Sequence, residues 1–239
     1  MATRPGRVTQ KRKIWAVVPV KELAGAKSRL AEVCSSEIRY QLVRAMAEDV
    51  LSVLANVPEL SGIAVVTLDP SIAALAGKYG AQVFADGAGD GHARAVNAAA
   101  ARLDGAGCGA ILVLPADIPL IAASEIAAVI AAHRAAPALT IVQAHDGRGS
   151  NAVMVSPPCA VPFAFGENSF SGYVENARRR GIEPTILTLP GIRFDIDNAA
   201  DLALFMQRPS STLSWACLTA HGVTPQTAVA SGVHATGSA

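Results

Sequence analysis

The chain has 239 residues, is 51% hydrophobic and only 5% aromatic, and sets 20 basic against 19 acidic side chains for a formal charge of +1. This length suits one large α/β domain or two small ones, and the balanced charge excludes the basic footprint of a nucleic-acid or anionic-membrane binder. The cysteines at 34, 108, 159 and 217 are far apart with no CxxC pair, which argues against a zinc site or a disulfide frame.

Arg4, Arg7, Lys11, Arg12 and Lys13 read as a loose basic arm covering residues 1–12, because no apolar stretch follows as a signal peptide would require. The first strand is predicted at Ile14–Val18. It breaks at Pro19 into a loop bearing Lys21, Gly25, Lys27 and Arg29. Three cations within nine residues, after a buried strand, suit a loop that holds phosphates with backbone N–H groups and positive side chains. A solvated basic turn is the plain alternative. Further strands are predicted at Ile63–Thr67, Gln82–Ala85, Ala110–Leu114, Thr140–Gln143, Ala152–Val155 and Thr185–Leu189. Between them fall helical patterns at Ser35–Val53, Ser71–Gly80, Ala93–Leu103, Ser124–Ala136, Ser171–Arg180 and Asn198–Gln207. This alternation is the signature of an α/β fold with a mostly parallel sheet. The most apolar stretch, Ala110–Ala123, is too short for a bilayer and contains Pro115, Asp117 and Pro119, so a cytoplasmic, membrane-free protein is expected. Residues 209–239 turn to Pro, Ser, Thr, Gly and Ala and are expected to be a flexible tail in which Leu213, Trp215 and Leu218 can dock locally.

The chemistry concentrates at a few strand ends. Asp117, in Pro115-Ala-Asp-Ile-Pro119, follows a buried strand, and ligands of open α/β sheets gather beyond such ends. It can face a metal or a phosphate, or simply cap a turn. In Phe194-Asp-Ile-Asp-Asn198, Asp195 and Asp197 are two apart and so share a face if extended. Either Asp197 or Asn198 can cap the following helix, and Asp201 suits its first turn. Carboxylates from two strand ends bracketing a phosphate are what Mg²⁺ needs. The glycine-rich run Asp86–Gly91 tempts toward a dinucleotide fingerprint, but His92 stands at the third glycine position, so a flexible loop over a nucleotide is preferred, with Asn97 facing the site. Arg148, Ser150 and Asn151, with Gly166 and Ser169, suit a small anion, although either piece can be an ordinary turn. His92, His133 and His145 show no convincing partners, and His133 reads as a surface residue. No Ser/His/Asp or Cys/His arrangement supports acyl chemistry.

In this order, PVKELAGAKSRL, PADIPL, RGSNAVMV with FGENSFSGY, and FDIDNAADL resemble the CofC/FbiD-type guanylyltransferases of coenzyme F420 biosynthesis, over residues 14–206. The resemblance implies a single Rossmann-like nucleotidyltransferase domain, here 13–208, with a mostly parallel mixed sheet flanked by helices. It implies transfer of GMP from GTP to a phosphorylated three-carbon acid (phosphoenolpyruvate, 2-phospho-L-lactate or 3-phosphoglycerate), with pyrophosphate released. Lys21, Lys27 and Arg29 then match the triphosphate loop, Asn97 a position near the nucleotide, and Asp117, Asp195 and Asp197 the Mg²⁺ carboxylates. Lys27 and Asp117 carry the catalytic roles. Asn151, Gly166 and Ser169 match the acid-binding segment, joined by Arg148 and Ser150. PADIPL has no second acid beside Asp117, which leaves the metal to depend more on Asp195 and Asp197. The rivals are a nucleotidyltransferase with another acceptor such as molybdopterin, a nicotinamide-binding protein, and a non-catalytic nucleotide-binding module. A homodimer is left open.

Overall fold

A computed structural model describes residues 13–227 except 22, 24 and 167. The basic arm over 1–12 and the last stretch of the tail, 228–239, lie outside the described residues. Seven strands form one sheet: β1 (Ile14–Pro19), β2 (Gly62–Val66), β3 (Gln82–Phe84), β4 (Ala110–Val113), β5 (Ala138–Gln143), β6 (Ser150–Ser156) and β7 (Thr185–Leu187), in the order β3-β2-β1-β4-β6-β5-β7. β6 runs antiparallel to β4 and β5, and every other pairing is parallel.

Helices cover both faces. On one lie α1 (Ser36–Leu54), α2 (Pro70–Lys78), α4 (Ala123–Ala132), α6 (Ala199–Met206) and α7 (Leu213–Ala220); on the other lie α3 (His92–Gly105) and α5 (Ser169–Arg179). The inner strands read as near-continuous apolar runs because both their faces are buried, whereas the edge strands β3 and β7 are partly exposed. In β1, Ala16 and Val18 go into the larger core with Met46 and Phe205, while Val17 enters the smaller one with Val96 and Tyr173. No helix of the described residues is long and apolar enough to cross a membrane.

The strand order reverses between β1 and β4, so the segments leaving their carboxyl ends diverge and open a crevice. Two crossovers feed it. Asp69 caps α2, its Oδ1 accepting from the backbone N–H groups of Ser71 and Ile72, and its Oδ2 accepts from Leu23 N at 3.1 Å, tying the basic loop to the end of β2. The loop is anchored further by Leu23 and Leu30, both buried.

Within the tail, the expected local docking takes the form of a helix. Residues 213–220 are helical and docked on α1, where the buried carboxylate of Asp49 accepts from Leu213 N, Ser214 N and Ser214 Oγ. Leu218 is fully buried beneath it. Ser214 and Leu218, four apart and fully buried, with Trp215 beside them and a capping carboxylate supplied from another element, outweigh the tail's Ser- and Thr-rich composition.

Candidate active site

The loop after β1 closes through Ala26 N–H to Leu23 O and Leu30 N–H to Lys27 O. Lys27 is the one non-glycine residue with positive φ among the described residues, at 52°. That conformation costs about 1 kcal/mol or more and marks a place where surrounding structure dictates the backbone. It sends the side chain inward: Nζ lies 2.6 Å from Asp117 Oδ2 and 2.6 Å from Asp197 Oδ1, with only 12% of the side chain exposed. Burial pulls the Lys27 pKa down, but the two carboxylates outweigh it and the net displacement is upward, so the ammonium stays charged. A solvated basic turn is thereby excluded for Lys27.

Lys27 faces a cleft of about 450 Å³ that also presents Lys21, Arg29, His92, Asp117 and Asp197. A second cleft of about 420 Å³ shares Pro19, Val20, Lys21 and His92 with it and extends toward Leu68, Ala88 and Gly91. Together they make a two-lobed trough, one lobe charged and the other walled by an aliphatic side chain and a glycine-rich turn. The run after Asp86 forms a wall of the trough and folds as a short 3-10 turn at Ala88–Asp90. His92, at the junction, packs edge-on against Phe165 with ring centroids 4.8 Å apart. Its burial, aided by the charge of Lys21 and opposed by Asp117, holds its pKa below the usual histidine range, so it presents a neutral imidazole.

Asp195 and Asp197 alternate with Phe194 and Ile196, whose side chains enter the core. Ile196 N–H donates to Asp117 O at 3.1 Å, joining the two carboxylate segments backbone to backbone. Glu125 on α4 fixes the approach to that segment by accepting from Gly191 N and Ile192 N. Asn198, not Asp197, caps α6, in a reciprocal box with Asp201, which leaves the Asp197 side chain to Lys27. Burial raises the Asp195 pKa; a hydrogen bond from Asn151 works against this, and the charges of Asp117 and Asp197 add to it. A cation relieves the repulsion that Asp117 and Asp197 exert on Asp195, and Lys27 supplies part of that charge between Asp117 and Asp197. Among the described residues no three His, Cys, Asp or Glu side chains enclose a metal by themselves. The donor set is nonetheless all hard oxygen, and Mg²⁺ takes one or two carboxylates with the rest from water and phosphate. The residues fit such an open site.

The anion-suited segments also meet. Ser150 Oγ and Ser169 Oγ are 3.0 Å apart, Ser169 N–H donates to Gly166 O, and Phe170 N–H donates to Arg148 O. The Arg148 side chain, 65% exposed, lies over Asp146 at 3.5 Å. Two of the expected site residues have partners within the protein. Asn151 gives its amide to Asp195 Oδ1 at 2.8 Å, linking this segment to the carboxylates. The Asn97 side chain is engaged by Phe163: its amide donates to Phe163 O and accepts from Phe163 N, clamping the irregular segment that leads to Phe165 and Gly166.

The histidines were misjudged by sequence pattern. His133 bridges Thr140 Oγ1 and Ser156 Oγ, at 2.9 and 2.8 Å, instead of facing solvent. His145 has two acidic partners, with Nδ1 3.1 Å from Asp195 Oδ1 and Nε2 2.9 Å from Asp201 Oδ1. Burial lowers its pKa, the two carboxylates raise it by more, and the balance is upward. Neither histidine has a local sequence signal, since every partner is distant along the chain or on another element. A cleft that sets Lys21, Lys27 and Arg29 beside Asp117 and Asp197 can hold an anionic molecule together with a cation.

Residues 14–233 match the family described as guanylyl transferase CofC like. A phosphoenolpyruvate guanylyltransferase of Rubrobacter xylanophilus is 37% identical over 190 residues, covering 80% of this chain and 92% of the relative. One from Roseiflexus castenholzii is 35% identical over 199 residues, covering 83% and 90%. Among solved structures, a candidate nucleotide-diphospho-sugar transferase from Desulfovibrio desulfuricans G20 superposes with a TM-score of 0.70 at 18% identity, covering 89% of this chain and 96% of that one. A 4-diphosphocytidyl-2C-methyl-D-erythritol synthase from Anaerococcus prevotii gives 0.57 at 12% identity, covering 83% and 97%. At those identities the structural likeness concerns the fold.

Proposed function

The chain belongs to the CofC-like guanylyltransferase family and is a nucleotidyltransferase, and we propose that it transfers GMP from GTP to phosphoenolpyruvate or a closely related phosphorylated three-carbon acid. The observation that carries this reading is Lys27, a buried ammonium fixed between Asp117 and Asp197 in a cleft that also presents Lys21 and Arg29. In this reading the triphosphate lies along Lys21, Lys27 and Arg29, the base occupies the lobe beside Leu68, and the acid's phosphate lies near Ser150 and Ser169.

The acceptor phosphate is already a nucleophile. Its oxygen forms a bond to the α-phosphorus, the bond from that phosphorus to the α–β bridging oxygen breaks, and pyrophosphate leaves with the electron pair. No general base is required, which fits a neutral His92 and a site built from cations. The work of the protein is to align two polyanions and to balance charge that shifts toward the leaving group. Lys21, Lys27 and Arg29 do this from one side. Asp117, Asp195 and Asp197 would hold Mg²⁺, which supplies charge neutralisation between the phosphates when bound. A cytoplasmic location and a role in coenzyme F420 biosynthesis belong to the same proposal.

Incubating the protein with each of GTP, CTP and ATP against phosphoenolpyruvate, 2-phospholactate and 3-phosphoglycerate, with pyrophosphate as readout, tests it. Turnover is expected with GTP and a three-carbon acid. Preference for CTP, or turnover indifferent to the acid, would refute the assignment.

A further inference from the structure

We propose that His145 and Asp201 are positioning residues that set the side chain of Asp195 for cation binding. This rests on the guanylyltransferase reading above, in which Asp195 is a metal carboxylate. The carboxylate of Asp195 is gripped by one edge: Oδ1 receives both His145 Nδ1, at 3.1 Å, and Asn151 Nδ2, at 2.8 Å. His145 is held in turn from its far side by Asp201 Oδ1, at 2.9 Å, and its ring lies against Phe194 with centroids 5.2 Å apart. Asp201 is 4% exposed and spends its other oxygen on the backbone N–H groups of Asp197 and Asn198, at 2.9 and 3.1 Å. One buried carboxylate thus fixes the backbone at Asp197 and, through an imidazole, the rotation of Asp195.

The arrangement does more than hold the segment in place. Its backbone is already pinned by Glu125 at Gly191 and Ile192, by His145 N–H donating to Arg193 O, and by Ile196 N–H donating to Asp117 O. None of these contacts uses the His145 ring. What the ring adds is the orientation of one carboxylate, the kind of control that groups behind a metal ligand exert on affinity.

The test compares wild type with His145→Phe, which keeps a ring against Phe194 and loses both hydrogen bonds, and His145→Gln, which keeps one donor. Mn²⁺ binding in the presence of GTP is followed by electron paramagnetic resonance, beside steady-state kinetics and thermal unfolding. His145→Phe should bind Mn²⁺ about 10- to 100-fold more weakly, with His145→Gln between it and wild type. Excess Mg²⁺ should restore kcat, and KM for the acid should hardly move. Wild-type Mn²⁺ affinity in the His145 variants, or a kcat defect that Mg²⁺ leaves untouched, overturns the proposal while Asp195→Asn still weakens Mn²⁺. If Asp195→Asn itself leaves Mn²⁺ binding intact, the metal role of Asp195 is wrong, and the positioning role falls with it.

Discussion

Replacing Lys27 by Met keeps the aliphatic stem and removes the charge between Asp117 and Asp197. At 2.6 Å each contact is worth about 6 kcal/mol in gross Coulomb energy at an effective dielectric of 20. Desolvation of the ammonium cancels much of this, and breaking a buried pair typically costs about 3–5 kcal/mol. Asp197 is 46% exposed and Asp117 25%, so water recovers part of the loss and a net cost of about 2–4 kcal/mol is expected. For a domain of this size that is roughly 5–15 °C in Tm. The two freed carboxylates should then welcome a divalent cation. Differential scanning fluorimetry with and without Mg²⁺ reads both effects: Lys27→Met should melt well below wild type in EDTA and gain more from Mg²⁺ than wild type does. Its kcat/KM for GTP should still fall, because the cation facing the triphosphate is gone. A variant as stable as wild type in EDTA, with no added response to Mg²⁺, would contradict the role of Lys27 as a resident counter-charge.

Asp69→Asn should keep the α2 cap but blunt the acid limb of the stability curve. Burial alone would raise the Asp69 pKa, yet hydrogen bonds from Ser71, Leu23 and Ile72 bring it below the ordinary value; its contribution is therefore complete above about pH 4 and lost as pH falls toward its folded pKa, which urea titrations across pH 2–6 will register. Gly191→Ala should be severe, costing several kcal/mol and lowering Mn²⁺ affinity, because a Cβ there would run into Leu120 O and Glu125 Oε2; near-normal Tm and metal binding would exclude that packing. Gly166→Val should raise KM for the acid while GTP affinity, from direct titration, stays near wild type. A Cβ at Gly166 meets nothing within 4 Å, so the strain comes from its φ of +146° rather than from a clash. Ser169→Ala should act in the same direction by about 0.5–1.5 kcal/mol for one lost hydrogen bond. Loss of GTP affinity with unchanged acid affinity in both variants would reverse the pocket assignment.

The strands were legible because apolar runs such as Ala16–Val18 and Ile111–Val113 must be buried on both faces, and only a helix-covered sheet provides that. Asp117 was legible as a residue just past a buried strand, whereas Lys27 lies in the loop well beyond β1 and Asp195 in the irregular segment before α6, which the backbone bond from Ile196 joins to Asp117. What stayed hidden depends on partners far apart in sequence. Asn97 looked like a group facing the site, yet its amide matches both backbone groups of Phe163, a residue 66 positions away that no local pattern pairs with it. His145 is 50 residues from Asp195 and 56 from Asp201, and a lone histidine in a turn carries no trace of either. The docking of α7 on Asp49 spans 164 residues, which is why the Ser- and Thr-rich composition near it suggested a tail.

The central claim is nucleotidyl transfer from GTP to the acid's phosphate, and following the two ends of GTP tests it most directly. With phosphoenolpyruvate and Mg²⁺, label from [α-³²P]GTP should appear in the acid–nucleotide product and label from [γ-³²P]GTP only in pyrophosphate, in equal amounts. Label from the γ position on the acid, or release of orthophosphate without any α-labelled product, would contradict the claim.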